Sequence, residues 1–163
     1  MSVDCCMTKE NYWFRYRTGA IIVRDGKMLF VQSNYGGYYY MIGGAVHLCE
    51  DSSRCIEREV LEETGVNCTV RRSAIICENF FKGVGGIMDG KDCHVLEFYY
   101  LMDVPDGADF KTANDEGEKL VWLPVEKIGT SDIRPMILKE KLPEVIKGAP
   151  LMHLINVDDE SKH

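Results

Sequence analysis

The sequence predicts a mixed α/β domain: a mixed sheet with helices packed on it. Three observations carry this. An Asp25-Gly26 pair separates two short apolar runs near the start. The hydrophobic period then turns helical over residues 52–63. Apolar, β-branched runs resume afterwards, and a second helical pattern follows late in the chain. A length of 163 residues is that of one domain, and the expected boundaries are 1–163.

The elements follow in order. Ala20-Ile21-Ile22-Val23 and Met28-Leu29-Phe30-Val31 flank Arg24-Asp25-Gly26-Lys27, a hairpin signal because both central turn residues need positive φ. Tyr38 to Met41 and Ala45-Val46 read as short strands around Gly43-Gly44. Ser52 to Glu63 has no Gly or Pro and sets Cys55, Ile56 and Val60 at helical spacing. Asp51, Ser52 or Ser53 supplies its N-cap and Gly65 its stop. Asn67 to Phe81, His94 to Val104 and Lys119 to Leu123 read as strands. Val125 to Ile128 reads as one helical turn. Ile133 to Ile146 is helical in pattern, broken or kinked near Pro143. Leu151 to Val157 reads as a final strand, and Asp158-Asp159-Glu160 as a solvated tail. The glycine-rich stretches 83–91 and 105–117 are loops between strands.

Composition narrows the function. Lys and Arg number 19 against 26 Asp and Glu, a net charge of −7. Phosphate backbones attract basic chains, so a nucleic-acid polymer or an anionic membrane is not the expected partner. A small phosphorylated substrate stays open, because a bound divalent cation reverses the local sign. No stretch approaches the ~20 apolar residues of a membrane span. The start lacks a basic segment followed by an apolar one, so no signal peptide is expected. The seven cysteines are odd in number, scattered and without a Cys-x-x-Cys. A reduced, cytoplasmic protein whose cysteines are mostly small buried hydrophobes is the expectation.

The chemistry concentrates between Gly44 and Val66. On a helix, Glu59 and Glu63 are four apart and Glu59 and Glu62 three apart, so three carboxylates project from neighbouring positions. Arg58 and Glu62 stand at pairing distance. Like charges at this spacing cost roughly 0.2–0.5 kcal/mol per pair. Acids in the last helical turn oppose the macrodipole at about 0.3–1 kcal/mol each. A solvated acidic face is the bland reading. Repeated local cost within a few residues points instead to a functional site. The natural compensation is a hard divalent cation, which takes carboxylate oxygens together with water and phosphate oxygens.

The full spacing is Gly44, five residues, Glu50, seven residues, Arg58-Glu59-Val60, one residue, Glu62-Glu63, one residue, Gly65-Val66. It resembles the Nudix box at all nine defining positions across 23 residues. The resemblance implies an α/β/α sandwich with a mixed central sheet. It also implies hydrolysis of a nucleoside diphosphate linked to another moiety, such as a nucleotide sugar like ADP-ribose or a nucleoside triphosphate. The cofactor it implies is Mg2+, with Mn2+ as the alternative. Glu59, Glu62 and Glu63, with the Gly44 carbonyl, correspond to the metal ligands. Glu50 and Arg58 correspond to residues that brace the loop and orient the helix acids. The general base is a box glutamate such as Glu59, or a later acid; Glu116 and Glu118 both precede Trp122, and Glu118 is preferred. Catalytic roles thus fall on Glu59, Glu62 and Glu118. The resemblance also makes a homodimer the fair expectation.

Some positions depart from family habit: Ile42 for a common Pro, His47 for a frequent Glu, Cys49 for a frequent Gly. Lys82, sixteen residues past Val66, is neither the Pro of many ADP-ribose hydrolases nor the Tyr of many dinucleoside polyphosphate hydrolases. The substrate therefore stays general. Arg15 and Arg17 share a strand face and either clamp phosphate or decorate an edge. Tyr38 and Tyr40 sit in an aromatic, glycine-containing loop that either stacks on a base or packs an edge strand. Glu97 interrupts an apolar strand; if buried, it needs a partner. A non-catalytic nucleotide sensor on the same fold is the competing reading. An isopentenyl-diphosphate-isomerase-like enzyme would need its own cysteine and glutamate arrangement, which is not found.

Overall fold

The structure is a computed structural model and describes residues 1–158. Two sheets pack together. The larger has order β1-β2-β7-β6-β9, from β1 (Cys6–Lys9), β2 (Tyr12–Ile21), β7 (Asp92–Asp103), β6 (Thr69–Lys82) and β9 (Met152–Val157). It is mixed: β2 runs parallel to β7 and β6 parallel to β9, while the other pairs are antiparallel. In the smaller sheet, β4 (Lys27–Gln32) pairs with β3 (Val23–Arg24), β5 (Tyr39–Tyr40) and β8 (Lys119–Pro124).

The Asp25-Gly26 turn forms as expected, with φ of 52° and 73°. The strand before it does not stay in one sheet. Residues up to Ile21 belong to β2, and the chain crosses after Ile22 to make the short β3. Ala20, Ile21 and Ile22 are all fully buried. A run buried on both faces carries no alternation that could mark the crossing. Strand β1 was not expected; its four residues are all exposed and carry no apolar alternation.

Helix α1 (Ser52–Thr64) matches the expectation closely. Asp51 caps it, accepting from the Arg54 N–H at 2.9 Å. Gly65 ends it at φ 75°, donating to the Leu61 carbonyl. Its buried face, Ile56 and Val60, joins Ala20, Ile22, Leu29, Tyr100 and Met102 in one core. Helix α2 (Leu138–Ile146) buries Leu138, Leu142 and Val145 with Ile21, Met28, Phe30, Ile75 and Tyr99 in the other. Ile21 and Ile22 thus face opposite cores, with one helix over each. This is the expected α/β/α sandwich.

Several expectations need correction. Ala45-Val46 is not a strand but an isolated bridge from Ala45 to Arg17, with Val46 N–H donating to the Tyr16 carbonyl. The late helix starts at Leu138 rather than Ile133, because Pro135 disfavours helical geometry in the residue before it. It also runs unbroken through Pro143, with Lys147 N–H donating to the Pro143 carbonyl at 3.1 Å. Its three buried apolar anchors offset the ~3 kcal/mol that an interior proline costs. Asp158 is half-buried rather than a solvated tail; Asp159 and Glu160 lie outside the described residues. No helix among the described residues is long and apolar enough to cross a membrane.

Candidate active site

A cleft of about 870 Å³ opens over the inner face of the large sheet. It is bounded by the C-terminal half of α1 and by the loops at Tyr35–Tyr40, 83–91 and 105–117. Gly44, Glu59, Glu62, Glu63, Arg15, Arg17, Tyr38, Tyr40, Glu116 and Glu118 all line it. Glu50 and Arg58 stand behind this lining.

The loop before α1 is built to press against Glu59. A Cβ on Gly44 would stand 2.4 Å from the Glu59 carboxyl carbon and 2.5 and 2.6 Å from its oxygens. Gly44→Ala is therefore expected to displace that carboxylate and lower kcat/KM roughly 10–100-fold, as losses of supporting contacts at such sites do. Steady-state kinetics check this; unchanged kinetics would show that the close approach is incidental.

Arg58 organises the acids. Its Nε and Nη2 donate to the two Glu50 oxygens at 2.8 and 3.0 Å, a bidentate pair. Its Nη1 donates to Glu59 at 2.7 Å and reaches Glu62 at 3.4 Å. Glu50 also accepts from the His47 backbone N–H at 3.1 Å. The Arg58 hydrogen bonds hold the Glu50 carboxyl down at about 2, so it stays anionic and keeps loop and helix together. Glu63 differs. Burial, opposed by Arg17, pushes its carboxyl up to about 7, and its Oε2 is buried with no hydrogen-bond partner.

On the facing strand, Arg17 is locked. Its Nη1 donates to Glu97 at 3.3 Å and its Nη2 to the Met41 carbonyl at 3.3 Å. Glu97, which the sequence leaves open between buried and exposed, is buried and paired. Burial and the neighbouring Arg17 lower the pKa of Arg15, the second cation on this face.

The two later acids part company. Glu118 is buried and both its oxygens are engaged. Tyr40 donates its hydroxyl to Oε2, Asn34 N–H donates to Oε1 at 3.3 Å, and Asn114 Nδ2 reaches Oε2 at 3.5 Å. Burial and this bond raise the Tyr40 pKa. Glu116 is exposed on the cleft wall and adds to the negative field at Glu63. Tyr38 lies 6.2 Å from Tyr40, ring to ring, with the Arg134 guanidinium 5.9 Å from its ring centre. Trp13, Asn79, Arg134 and Asp158 also line the cleft, and no sequence signal marks them. Strand register brings Trp13 and Asn79 to it, while Arg134 and Asp158 come from the segments before α2 and after β9.

Whether this cleft suits a divalent cation can be tested on its donors. Among the described residues, no three His, Cys, Asp or Glu side chains stand ready to hold a metal ion. Arg58 draws Glu59 and Glu62 to itself, and the Gly44 carbonyl already accepts from the Thr18 N–H at 2.9 Å. The donor chemistry nevertheless fits a hard cation: the donors are all oxygen, and one of them is a buried carboxylate oxygen with no partner. Glu62 is 56% exposed, so its carboxylate turns toward a cation without repacking.

The acidic end of α1 and the arginines of β2 thus line one cleft of an α/β sandwich. A family model described as NUDIX domain matches residues 13–143, and the chain belongs to that family. Nudix hydrolases generally depend on a divalent metal and act on small nucleotide substrates. A NUDIX hydrolase from Nitrosomonas europaea is 17% identical, with 88% of this chain and 79% of that one covered at a TM-score of 0.67. The E. coli ORF135 protein is 25% identical, with 84% and 94% covered at 0.60. An ADP-ribose pyrophosphatase from Streptococcus suis is 19% identical, with 87% and 98% covered at 0.61. No curated protein matches.

Proposed function

We propose that this chain, taken as one domain over 1–163, is a metal-dependent pyrophosphohydrolase. It cleaves a nucleoside diphosphate linked to another moiety by attack of water on phosphorus. One observation carries the reading: the carboxylates of α1 and the arginines of β2 face a single cleft. Oxygen donors for a cation and cations for phosphate oxygens are the two things that an anhydride of two phosphates requires.

Glu59, Glu62 and Glu63 would hold Mg2+ or Mn2+, with the Gly44 carbonyl as a further donor once the long contacts it accepts from Thr18 Oγ1 and Cys55 Sγ, at 3.5 and 3.9 Å, give way. When bound, such a cation neutralises phosphate oxygens and raises the acidity of nearby water. The remaining work belongs to the chain. Arg15 and Arg17 bind the pyrophosphate oxygens, and Arg17 is oriented beforehand by Glu97 and the Met41 carbonyl. Glu50 and Arg58 keep the acids aligned. Tyr38 presents its ring to the substrate; Tyr40, whose hydroxyl is engaged, presents its ring too.

Glu116 takes the proton from the attacking water, in place of the Glu118 that the sequence favours. Glu118 has both oxygens engaged and acts as a positioning residue for Tyr40 and the 114–118 turn. Glu116→Gln is expected to lower kcat about 10²–10⁴-fold with stability unchanged. Glu118→Gln is expected to lower the melting temperature and raise KM instead. Kinetics and thermal melts of both variants check this, and the reverse pattern would return the base to Glu118.

The seven free thiols support a reducing, cytoplasmic setting; four of them are buried, while Cys6 and Cys49 are exposed. The reaction itself is tested by hydrolysis of ADP-ribose and nucleoside triphosphates in 18O-labelled water. Label in one phosphate product supports attack on phosphorus. A folded protein that binds nucleotide but turns nothing over would instead be the non-catalytic sensor.

A further inference from the structure

Beneath the cleft floor, the Tyr99 hydroxyl and the second oxygen of Glu97 are used by none of the roles above. The strand register sets them side by side. Arg17 of β2 is level with Glu97 of β7, and Gly19 with Tyr99. Side chains two apart on a strand share a face, so these positions form one block. Gly19 puts no side chain into it. A Cβ there would stand 2.5 Å from Cδ1 and Cε1 of the Tyr99 ring. A glycine inside a strand weakens it and marks a close approach. Here the approach is that of a tyrosine ring laid over β2 beside Arg17. Tyr99 is 1% exposed and takes no part in lining the cleft, so its hydroxyl touches no substrate.

The block is short of hydrogen bonds. Arg17 Nη1 reaches one Glu97 oxygen, Oε1, at 3.3 Å. A strong charged pair is closer, at roughly 2.7–2.9 Å. Glu97 Oε2, the Tyr99 hydroxyl and Arg17 Nε are all buried without a partner. Burial raises the Glu97 carboxyl, while Arg17, the Tyr99 hydroxyl and Arg15 act against the rise. Burial and the facing Glu97 hold the Tyr99 phenol well above its usual range, so it keeps its proton to donate. Cys77, level with Glu97 on the other side, is pushed up by burial and stays a neutral thiol. A hydroxyl hydrogen rotates to suit its surroundings, so the Tyr99 O–H is a donor at hand for Glu97 Oε2. A buried acceptor without a donor is costly. That cost grows when a phosphate in the cleft takes a share of the Arg17 charge.

We propose that Tyr99 is a positioning residue for phosphate binding: its hydroxyl donates to Glu97 Oε2 when an anion engages Arg17. Glu97 then yields part of its hold on the guanidinium without being left unpartnered. Arg17 keeps its place on Glu97 and the Met41 carbonyl, and the second hydrogens of Nη1 and Nη2 go to the substrate. The proposal rests on the reading that phosphate lies at Arg17. It gives Gly19 a part as well, because only a residue without a side chain leaves room for the Tyr99 ring.

The test is equilibrium binding of methylenediphosphonate, whose P–C–P link water does not cleave, with magnesium present. Wild type, Tyr99→Phe, Glu97→Gln and the double variant are compared, each with a thermal melt. Tyr99→Phe is expected to bind the probe about tenfold more weakly. Its melting temperature should be unchanged or higher, because the hydroxyl it removes has no partner in the free protein. With Glu97→Gln in place no carboxylate charge is left to serve, so adding Tyr99→Phe should weaken binding about twofold or less. Unchanged affinity in Tyr99→Phe, or an equal loss with and without the Glu97 charge, would overturn the proposal. So would a destabilised Tyr99→Phe, since the hydroxyl would then already be bonded in the free protein. If Glu97→Gln does not fold, the affinity and melt of Tyr99→Phe decide alone. Wild-type protein that does not bind the probe would instead remove phosphate from Arg17, and the reading on which this proposal rests would fall first.

Discussion

Glu62→Gln is expected to lower kcat/KM by at least about a hundredfold, the scale on which a charge that stabilises a phosphoryl transition state acts. The same change should move the melting temperature by no more than about 1–2 °C, because the side chain is 56% exposed and its one ionic contact, with Arg58, is long at 3.4 Å. Exposed ion pairs contribute little to stability, so the variant separates chemistry from folding more cleanly than its neighbours do. Glu59 is pinned to Arg58 at 2.7 Å and pressed by Gly44, and the Glu63 Oε2 is buried, so changes there disturb packing as well. Wild-type kinetics in Glu62→Gln would remove this carboxylate from the reaction and weaken the whole acidic-helix assignment.

Arg17→Met is expected to have the largest effect on stability, a loss of about 3–5 kcal/mol, because it leaves the Glu97 carboxylate buried without its cation. Glu97 is 3% exposed and its Oε2 already lacks a partner. The double variant Arg17→Met/Glu97→Leu removes both charges. It should regain most of that loss, since a buried ion pair replaced by apolar groups of similar size is close to neutral. Activity should not return with stability, because Arg17 is also read as a phosphate ligand. Denaturant melts and kinetics on the three proteins decide this. A stable, active double variant would reduce Arg17 to a structural partner of Glu97. A stable single Arg17→Met variant would show that water already screens the pair.

Those parts of the molecule that obey local rules are legible in the chain itself. The Asp25-Gly26 turn needs two positive φ values, the Asp51 cap and Gly65 stop delimit α1, and the spacing of Glu59, Glu62 and Glu63 follows from helical geometry. Features decided by the tertiary environment are hidden. The crossing after Ile22 lies inside a uniformly buried run. Strand β1 has no apolar face and exists because β2 offers it an edge. The start of α2 reads too early because a helical apolar period extends upstream of Pro135, where the backbone cannot follow it. Glu116 and Glu118 are equally acidic in sequence; only Tyr40, Asn34 and Asn114 set them apart. Asn79 and Asn156 are ordinary polar residues until β6 and β9 pair in parallel and bring their amides to 2.8 Å. Arg15 and Arg17 are readable as sharing a face, but not as facing the acids across one cleft.

The central claim is that the acidic end of α1 and the arginines of β2 together hydrolyse a phosphoric anhydride with a divalent cation. The most direct measurement is product formation by the purified wild-type protein from nucleotide sugars, dinucleoside polyphosphates and nucleoside triphosphates, first with magnesium and then with chelator. The account predicts that at least one class is cleaved with release of a nucleoside monophosphate, and that chelator abolishes the reaction. Undiminished cleavage in chelator, or no cleavage of any class by folded protein in magnesium, would contradict it.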